Sequence, residues 1–189
     1  MAWHHLTESP DSMTRILALS GSLRRASSNT ALLRACATLA PAGVDISVYA
    51  GLGDLPLFNP DLEGREPASV KELCTQLRAA EGVLIASPEY AHGVTGVMKN
   101  ALDWLVGTEI FVDKPVALLN ASPRATLAQA ALTETVRVMS AHIVAEASIT
   151  LPLLGKNLDQ ACILAHPEIA GALCGAIQAF VDAIRARSA

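Results

Sequence analysis

Charge is sparse in this sequence. Only 17% of its 189 residues are Asp, Glu, Lys or Arg, while 51% are hydrophobic, and that balance excludes an intrinsically disordered chain. Fourteen basic residues face eighteen acidic ones, for a net charge of −4. Bulk electrostatic attachment to nucleic acid is therefore excluded too. Long apolar runs are missing. Stretches such as 83–86 and 116–119 fall far short of the roughly 20 residues that cross a bilayer as a helix. Residues 1–13 hold two His, two acids and a Pro, with no apolar centre of a secretory signal. These absences predict no membrane partner and a cytoplasmic location. They also predict a disordered extension over 1–13, with Met13 an alternative start, ahead of one domain over 14–189.

Cysteine is scarce as well. Cys36, Cys74, Cys162 and Cys174 form no C-x-x-C and sit near no cluster of His. Each lies among apolar neighbours, which predicts buried free thiols in a reducing compartment and no metal site. Three motifs are absent. Without G-x-x-x-x-G-K-[ST] the chain lacks the usual nucleotide-hydrolysing loop, and without G-x-G-x-x-G it lacks the usual dinucleotide fingerprint. Without G-x-S-x-G it lacks a serine-hydrolase elbow.

What is present is alanine and a regular order of elements. The mean hydropathy of +0.37 owes part of its height to 33 alanines. Continuous apolar runs at 15–20, 82–87 and 114–120 read as strands buried on both faces, with further strands at 44–49 and 142–146. Helical spacing appears between them. One stripe is Leu32, Leu33, Cys36 and Leu39; a second is Val70, Leu73, Cys74 and Leu77. A helix over 97–106 and another over 123–140 follow, the latter with Leu127, Ala131, Val138 and Met139 inward. A last helix begins near Pro167, with a stripe of Ile169, Leu173, Ile177, Val181 and Ile184. Five βα units predict a three-layer α/β fold of flavodoxin-like type. Its five-stranded parallel sheet has the order 2-1-3-4-5, with helices on both faces. Ligands of such sheets sit beyond the carboxyl ends of the strands where the order reverses. That rule brings the loops after Ser20 and Ser87 together over one crevice. An acidic pair after strand one and an Asp after strand three would mark a signalling receiver, but Ser20-Gly21 and Ser87-Pro88 stand there.

The first loop, 21–30, carries Ser22, Ser27, Thr30 and Arg24 at the start of a helix. Hydroxyls, free amides, the helix dipole and a guanidinium together suit a phosphate monoester bound without magnesium. The same residues also read as a solvated turn capped by Asn29. The second loop, 87–96, is fixed by Pro88, Gly93 and Gly96 and leaves backbone groups free to read a planar heterocycle. Tyr90 either stacks there or packs, and His92 also reads as an ordinary loop histidine.

The segment Gly21-Ser-Leu-Arg24, followed by Ser27 and Asn29, resembles the phosphate loop of the NADPH-dependent FMN reductase family. Pro88-Glu-Tyr90, followed by Gly96-Val-Met-Lys-Asn-Ala-Leu-Asp-Trp104, resembles that family's second signature. The element order matches over about 14–187. The resemblance implies that Ser22, Arg24, Ser27 and Asn29 hold the FMN phosphate, helped by Thr30. It implies that Pro88, Glu89, Tyr90, Ala91, His92 and Gly93 flank the isoalloxazine, with the last three acting through backbone, and that Ser122 and Arg124 lie near the ring or the incoming nicotinamide. Three departures stand out: Ala91 where many members have Asn, Thr95 where many have Pro, and Asn120-Ala-Ser-Pro-Arg-Ala125 where Ser-x-Gly-Gly is frequent. The implied activity passes hydride from NAD(P)H through FMN to quinones, free flavin or similar small acceptors in a two-step cycle. The alternative is a flavodoxin-type electron carrier, against which the mild acidic excess counts. Arg24, Arg25 and Arg124 are the bases available to a 2′-phosphate. The resemblance also implies a homodimer or homotetramer. Trp104 and the apolar run 110–112 add to the surface expected for it.

Overall fold

A computed structural model of the chain describes residues 13–153 and 159–188; apart from Met13, the extension expected over 1–13 lies outside them. In chain order the strands are β1 (Thr14–Ser20), β2 (Val44–Tyr49), β3 (Gly82–Ala86), β4 (Glu89–Tyr90), β5 (Gly93–Val94), β6 (Pro115–Leu119) and β7 (His142–Ile143). The helices are α1 (Ser28–Thr38), α2 (Ala68–Ala79), α3 (Gly96–Val106), α4 (Thr126–Val138), α5 (Gln160–Ala165) and α6 (Pro167–Ser188). The main sheet runs β2-β1-β3-β6-β7, every pair parallel. Counting only its own strands, this is the expected order 2-1-3-4-5.

The apolar runs are continuous because both sheet faces are covered. Ile16, Ala18, Leu84, Ala86, Ala117 and Leu119 pack on the side of α1, α5 and α6. Their alternates Leu17, Leu19, Val83, Ile85, Val116 and Leu118 pack on the side of α2, α3 and α4. Fully burying a side chain of this size stabilises the fold by about 1.5–3 kcal/mol, so the three central strands anchor both layers. α6 has 22 residues and the apolar content of a membrane span. Its stripe Ile169, Leu173, Ile177, Val181 and Ile184 is nevertheless buried in the core.

Several expectations need correction. The α1 cap is Ser27, whose side chain accepts from the Thr30 amide at 3.2 Å; Asn29 lies inside the first turn. α4 starts at Thr126, and its inward face is Ala128, Leu132, Val136 and Met139. Leu127 and Val138 point outward, 52% and 67% exposed, and Ala131 is exposed with them. The helix carries apolar residues on two faces, so periodicity alone did not select the buried one. The last strand stops at Ile143, and a 3₁₀ turn over Ala145–Ala147 takes its place. Cys36 and Cys74 are buried, but Cys162 and Cys174 are exposed; all four are free thiols. Trp104, Ile110 and Phe111 are buried within the chain. The Trp104 indole N–H donates to the Pro56 carbonyl at 2.8 Å, and its ring meets Phe58 edge-on at 5.1 Å.

Candidate active site

The carboxyl ends of β1 and β3 carry the two loops into contact. The Gly21 amide donates to the Ala86 carbonyl at 2.8 Å, extending the β1–β3 ladder by one step. Beyond it the Thr95 hydroxyl donates to the Gly21 carbonyl at 2.7 Å and lies 3.4 Å from Ser87 Oγ. Thr95 is only 3% exposed. A Cβ at Gly21 would stand 2.3 Å from Ser87 Oγ. Glycine is therefore required here for close approach of the loops.

The first loop wraps the N-terminus of α1. Ser20 and Thr30 hydroxyls meet at 2.8 Å, and the Ser22 hydroxyl accepts from the Arg24 amide at 3.3 Å. The Ser28 and Asn29 amides fall in the first helical turn, where no intrahelical acceptor exists. Asn29 is buried and its Oδ1 has no donor among the described residues. A buried acceptor left without a donor costs about 1–3 kcal/mol, so this position suits a bound group that brings a donor. A phosphate ester with neighbouring hydroxyls meets that requirement: its oxygens take the free amides, and a hydroxyl supplies the Asn29 donor. The residues present therefore fit FMN.

The second loop is a two-residue hairpin. Glu89 pairs with Val94 and Tyr90 with Gly93, and the turn residues Ala91 and His92 have φ of 49° and 60°. Both central residues are left-handed, as in a type I′ turn, where Asn-Gly is preferred. Tyr90 stands 58% exposed at the rim.

Glu89 reaches across to the third loop. Ala125 precedes α4 without a side-chain cap, and the Ala128 amide donates to Glu89 Oε2 at 2.8 Å. His92 Nδ1 lies 3.2 Å from Oε1. The Ala128 amide first, then His92 and the Leu127 amide, hold the Glu89 carboxyl below its ordinary value against the opposing effect of desolvation. Its side chain is 14% exposed, and a carboxylate at a helix N-terminus is also favoured by the dipole. The third loop is tied in turn by Asn120, 4% exposed, whose Oδ1 accepts from the Ser122 amide at 3.0 Å.

These elements enclose a cleft of about 280 Å³. Ser22, Arg24, Ser27, Asn29, Pro88, Glu89, Tyr90 and Ser122 line it, and Arg124 joins them. Thr30, Ala91, His92 and Gly93 do not. Thr30 lies behind the first loop against Ser20, and the other three form the hairpin's tip and return. Sequence reasoning missed Ser87, Thr95 and Asn120. A buried hydroxyl or amide that ties one loop to another leaves no periodic trace, and the frequent proline at position 95 hid the threonine's role.

The profile of the NADPH-dependent FMN reductase family matches residues 14–153. The chain is 37% identical to the quinone reductase of Escherichia coli K12 over 112 residues, 57% of this chain and 60% of that protein. It is 40% identical to the NADPH:quinone oxidoreductase of Arabidopsis thaliana over 114 residues, 57% of this chain and 58% of that protein. Each match thus spans less than two thirds of the relative's own length. Among solved structures, FerB, a flavoenzyme NAD(P)H:(acceptor) oxidoreductase from Paracoccus denitrificans, superimposes with a TM-score of 0.74 at 29% identity, covering 91% of this chain and 97% of that one. With the sheet order, the paired loops and the profile in agreement, the chain belongs to the NADPH-dependent FMN reductase family.

Proposed function

We propose that the chain is an FMN-carrying reductase that takes hydride from NAD(P)H and delivers two electrons to quinones, free flavin or similar small acceptors. The observation that carries this reading is the Oδ1 of Asn29, without a donor among the described residues and buried at the mouth of two loops that Thr95 locks together. Bound FMN supplies the ring through which hydride and electrons pass. The protein binds and orients. Ser22, Ser27, Asn29 and Arg24 hold the phosphate end at the start of α1, with Thr30 bracing the loop through Ser20. The segment from Pro88 to Tyr90 and the 120–125 loop flank the ring. The backbone of Ala91, His92 and Gly93, outside the cleft lining, closes the hairpin that presents Glu89 and Tyr90 to the ring. Ser122 and Arg124, which also line the cleft, would meet the ring or the incoming nicotinamide. The work required is positioning and electrostatics, so no side chain is assigned as acid or base.

An exposed stripe of Val106 on α3 with Leu127, Ala131 and Val138 on α4 supports self-association as a homodimer or homotetramer, in place of the surface first expected around Trp104. Free thiols and NAD(P)H dependence support a cytoplasmic location.

Anaerobic mixing of the FMN-loaded protein with NADPH tests the reading. Flavin absorbance should bleach and return on adding benzoquinone. Absorbance that NADPH and NADH both leave unchanged would overturn it.

A further inference from the structure

α4 has no side-chain cap of its own. Ala125 precedes it, and the side chain that meets its first turn is Glu89, which accepts from the Ala128 amide, 39 residues along the chain, at 2.8 Å. A Ser, Asp or Asn at position 125 would meet the first amides of the helix locally. Glu89 instead brings a full negative charge into the wall of the cleft, which Glu89 and Ala125 both line. Its side chain is 14% exposed, so water and salt screen it weakly. The helix amides hold it ionised. His92 lies 3.2 Å from it and is itself 81% exposed, and Arg124 stands elsewhere on the cleft wall. Among the described residues Glu89 forms no ion pair with a lysine or arginine. Its charge is therefore set chiefly against the start of α4.

The first amides of a helix carry the equivalent of about half a positive charge. Uncovered beside the cleft, they would stabilise any negative charge that develops there. Hydride transfer brings two electrons and one proton to the flavin as NAD(P)H becomes NAD(P)⁺, and it leaves the reduced ring with one negative charge. A carboxylate in the wall opposes that charge and also occupies the amides that would favour it. The two effects have the same sign. We propose that Glu89 is a positioning residue whose carboxylate, set at the start of α4, covers the positive end of that helix and holds the reduction potential of bound FMN low. The inference rests on the reductase reading above. A low potential makes the reduced protein a readier donor to quinones and similar acceptors. Glu89 acts through α4 and the field in the cleft, and it exchanges no proton with substrate.

Spectroscopic redox titration of the FMN-loaded chain against reference dyes at pH 7 tests the proposal. E89Q is nearly isosteric, and its amide oxygen can still accept from Ala128, but the charge is gone. Its two-electron midpoint should rise by about 30 mV or more, which is tenfold in the reduction equilibrium. E89A also uncovers the helix amides and should rise further. E89D keeps the charge on a shorter arm and should stay closer to the parent than to E89Q. Reoxidation of the reduced protein by benzoquinone, followed by stopped flow, should slow in the same order. A side chain that only braced the loops would change the affinity for oxidised FMN and leave the midpoint in place. An E89Q midpoint equal to the parent's or below it, or an E89D shift as large as that of E89Q, would overturn the proposal. A chain that takes no FMN would overturn the reductase reading and this proposal with it. FMN that neither NADPH nor NADH reduces would overturn the reading alone, since the dyes still report the midpoint.

Discussion

The hydroxyl of Thr95 donates to the carbonyl of Gly21, 74 residues earlier in the chain, at 2.7 Å. This bond joins the loop after β1 to the loop after β3, so each holds the other in place. T95V keeps the shape and removes the donor. The Gly21 carbonyl is then left unsatisfied, at a cost of about 1–3 kcal/mol, whereas T95S keeps the bond and should cost less. Urea denaturation of the three proteins measures both differences.

Gly21 meets the same contact from the other side. A methyl group there would stand 2.3 Å from Ser87 Oγ and 2.8 Å from its Cβ. G21A should destabilise the fold by about 1–3 kcal/mol, as overpacking does, and should weaken FMN binding because the loops must part. G21A/S87G should recover part of both losses. If G21A alone is as stable and binds FMN as tightly as the parent, the loops are not held in close contact.

The hairpin tip stores strain that can be released. Ala91 has φ of 49°, a conformation costly for a residue with a Cβ and better tolerated by Asn. A91N should raise stability by about 0.5–1 kcal/mol, with A91G close behind despite its greater unfolded-state freedom. Thermal denaturation reads the change, and destabilisation by both would contradict the left-handed turn.

Glu89 makes part of the stability depend on pH. Its folded pKa lies below the ordinary 4.5, so the ionised form is favoured by folding. The contribution is complete above the unfolded value and is lost as pH falls through the lower folded value. E89Q should therefore be less stable than the parent at neutral pH, and the gap should close under acid conditions. Denaturation curves at pH 7 and in that acid range measure it; a gap that persists unchanged in acid would contradict the carboxylate's place at the start of α4.

The order of elements was legible because strands buried on both faces read as continuous apolar runs, as at Gly82–Ala86, and because α2 and α6 have one apolar stripe each. α4 was misread because Leu127 and Val138 compete with Leu132 and Val136 for the core. The hairpin at 89–94 was hidden by strands of two residues and an Ala-His turn without the usual Asn-Gly. Most cleft residues were legible as two short motifs. The ties between loops were not. Thr95 to Gly21 and Glu89 to Ala128 are single bonds between distant positions, and only the fold brings them together.

The most direct test of the central claim is equilibrium titration of FMN with the purified chain, followed by flavin fluorescence, for the parent and for N29A. The account predicts quenching that saturates at one FMN per chain. It predicts a dissociation constant at least about tenfold higher in N29A, the scale of one lost hydrogen bond in a buried site, with the flavin-free protein no less stable than the parent, because the unsatisfied acceptor is gone. Fluorescence that stays at the level of free FMN as the chain is added, or an N29A variant that binds FMN as tightly as the parent, would contradict it.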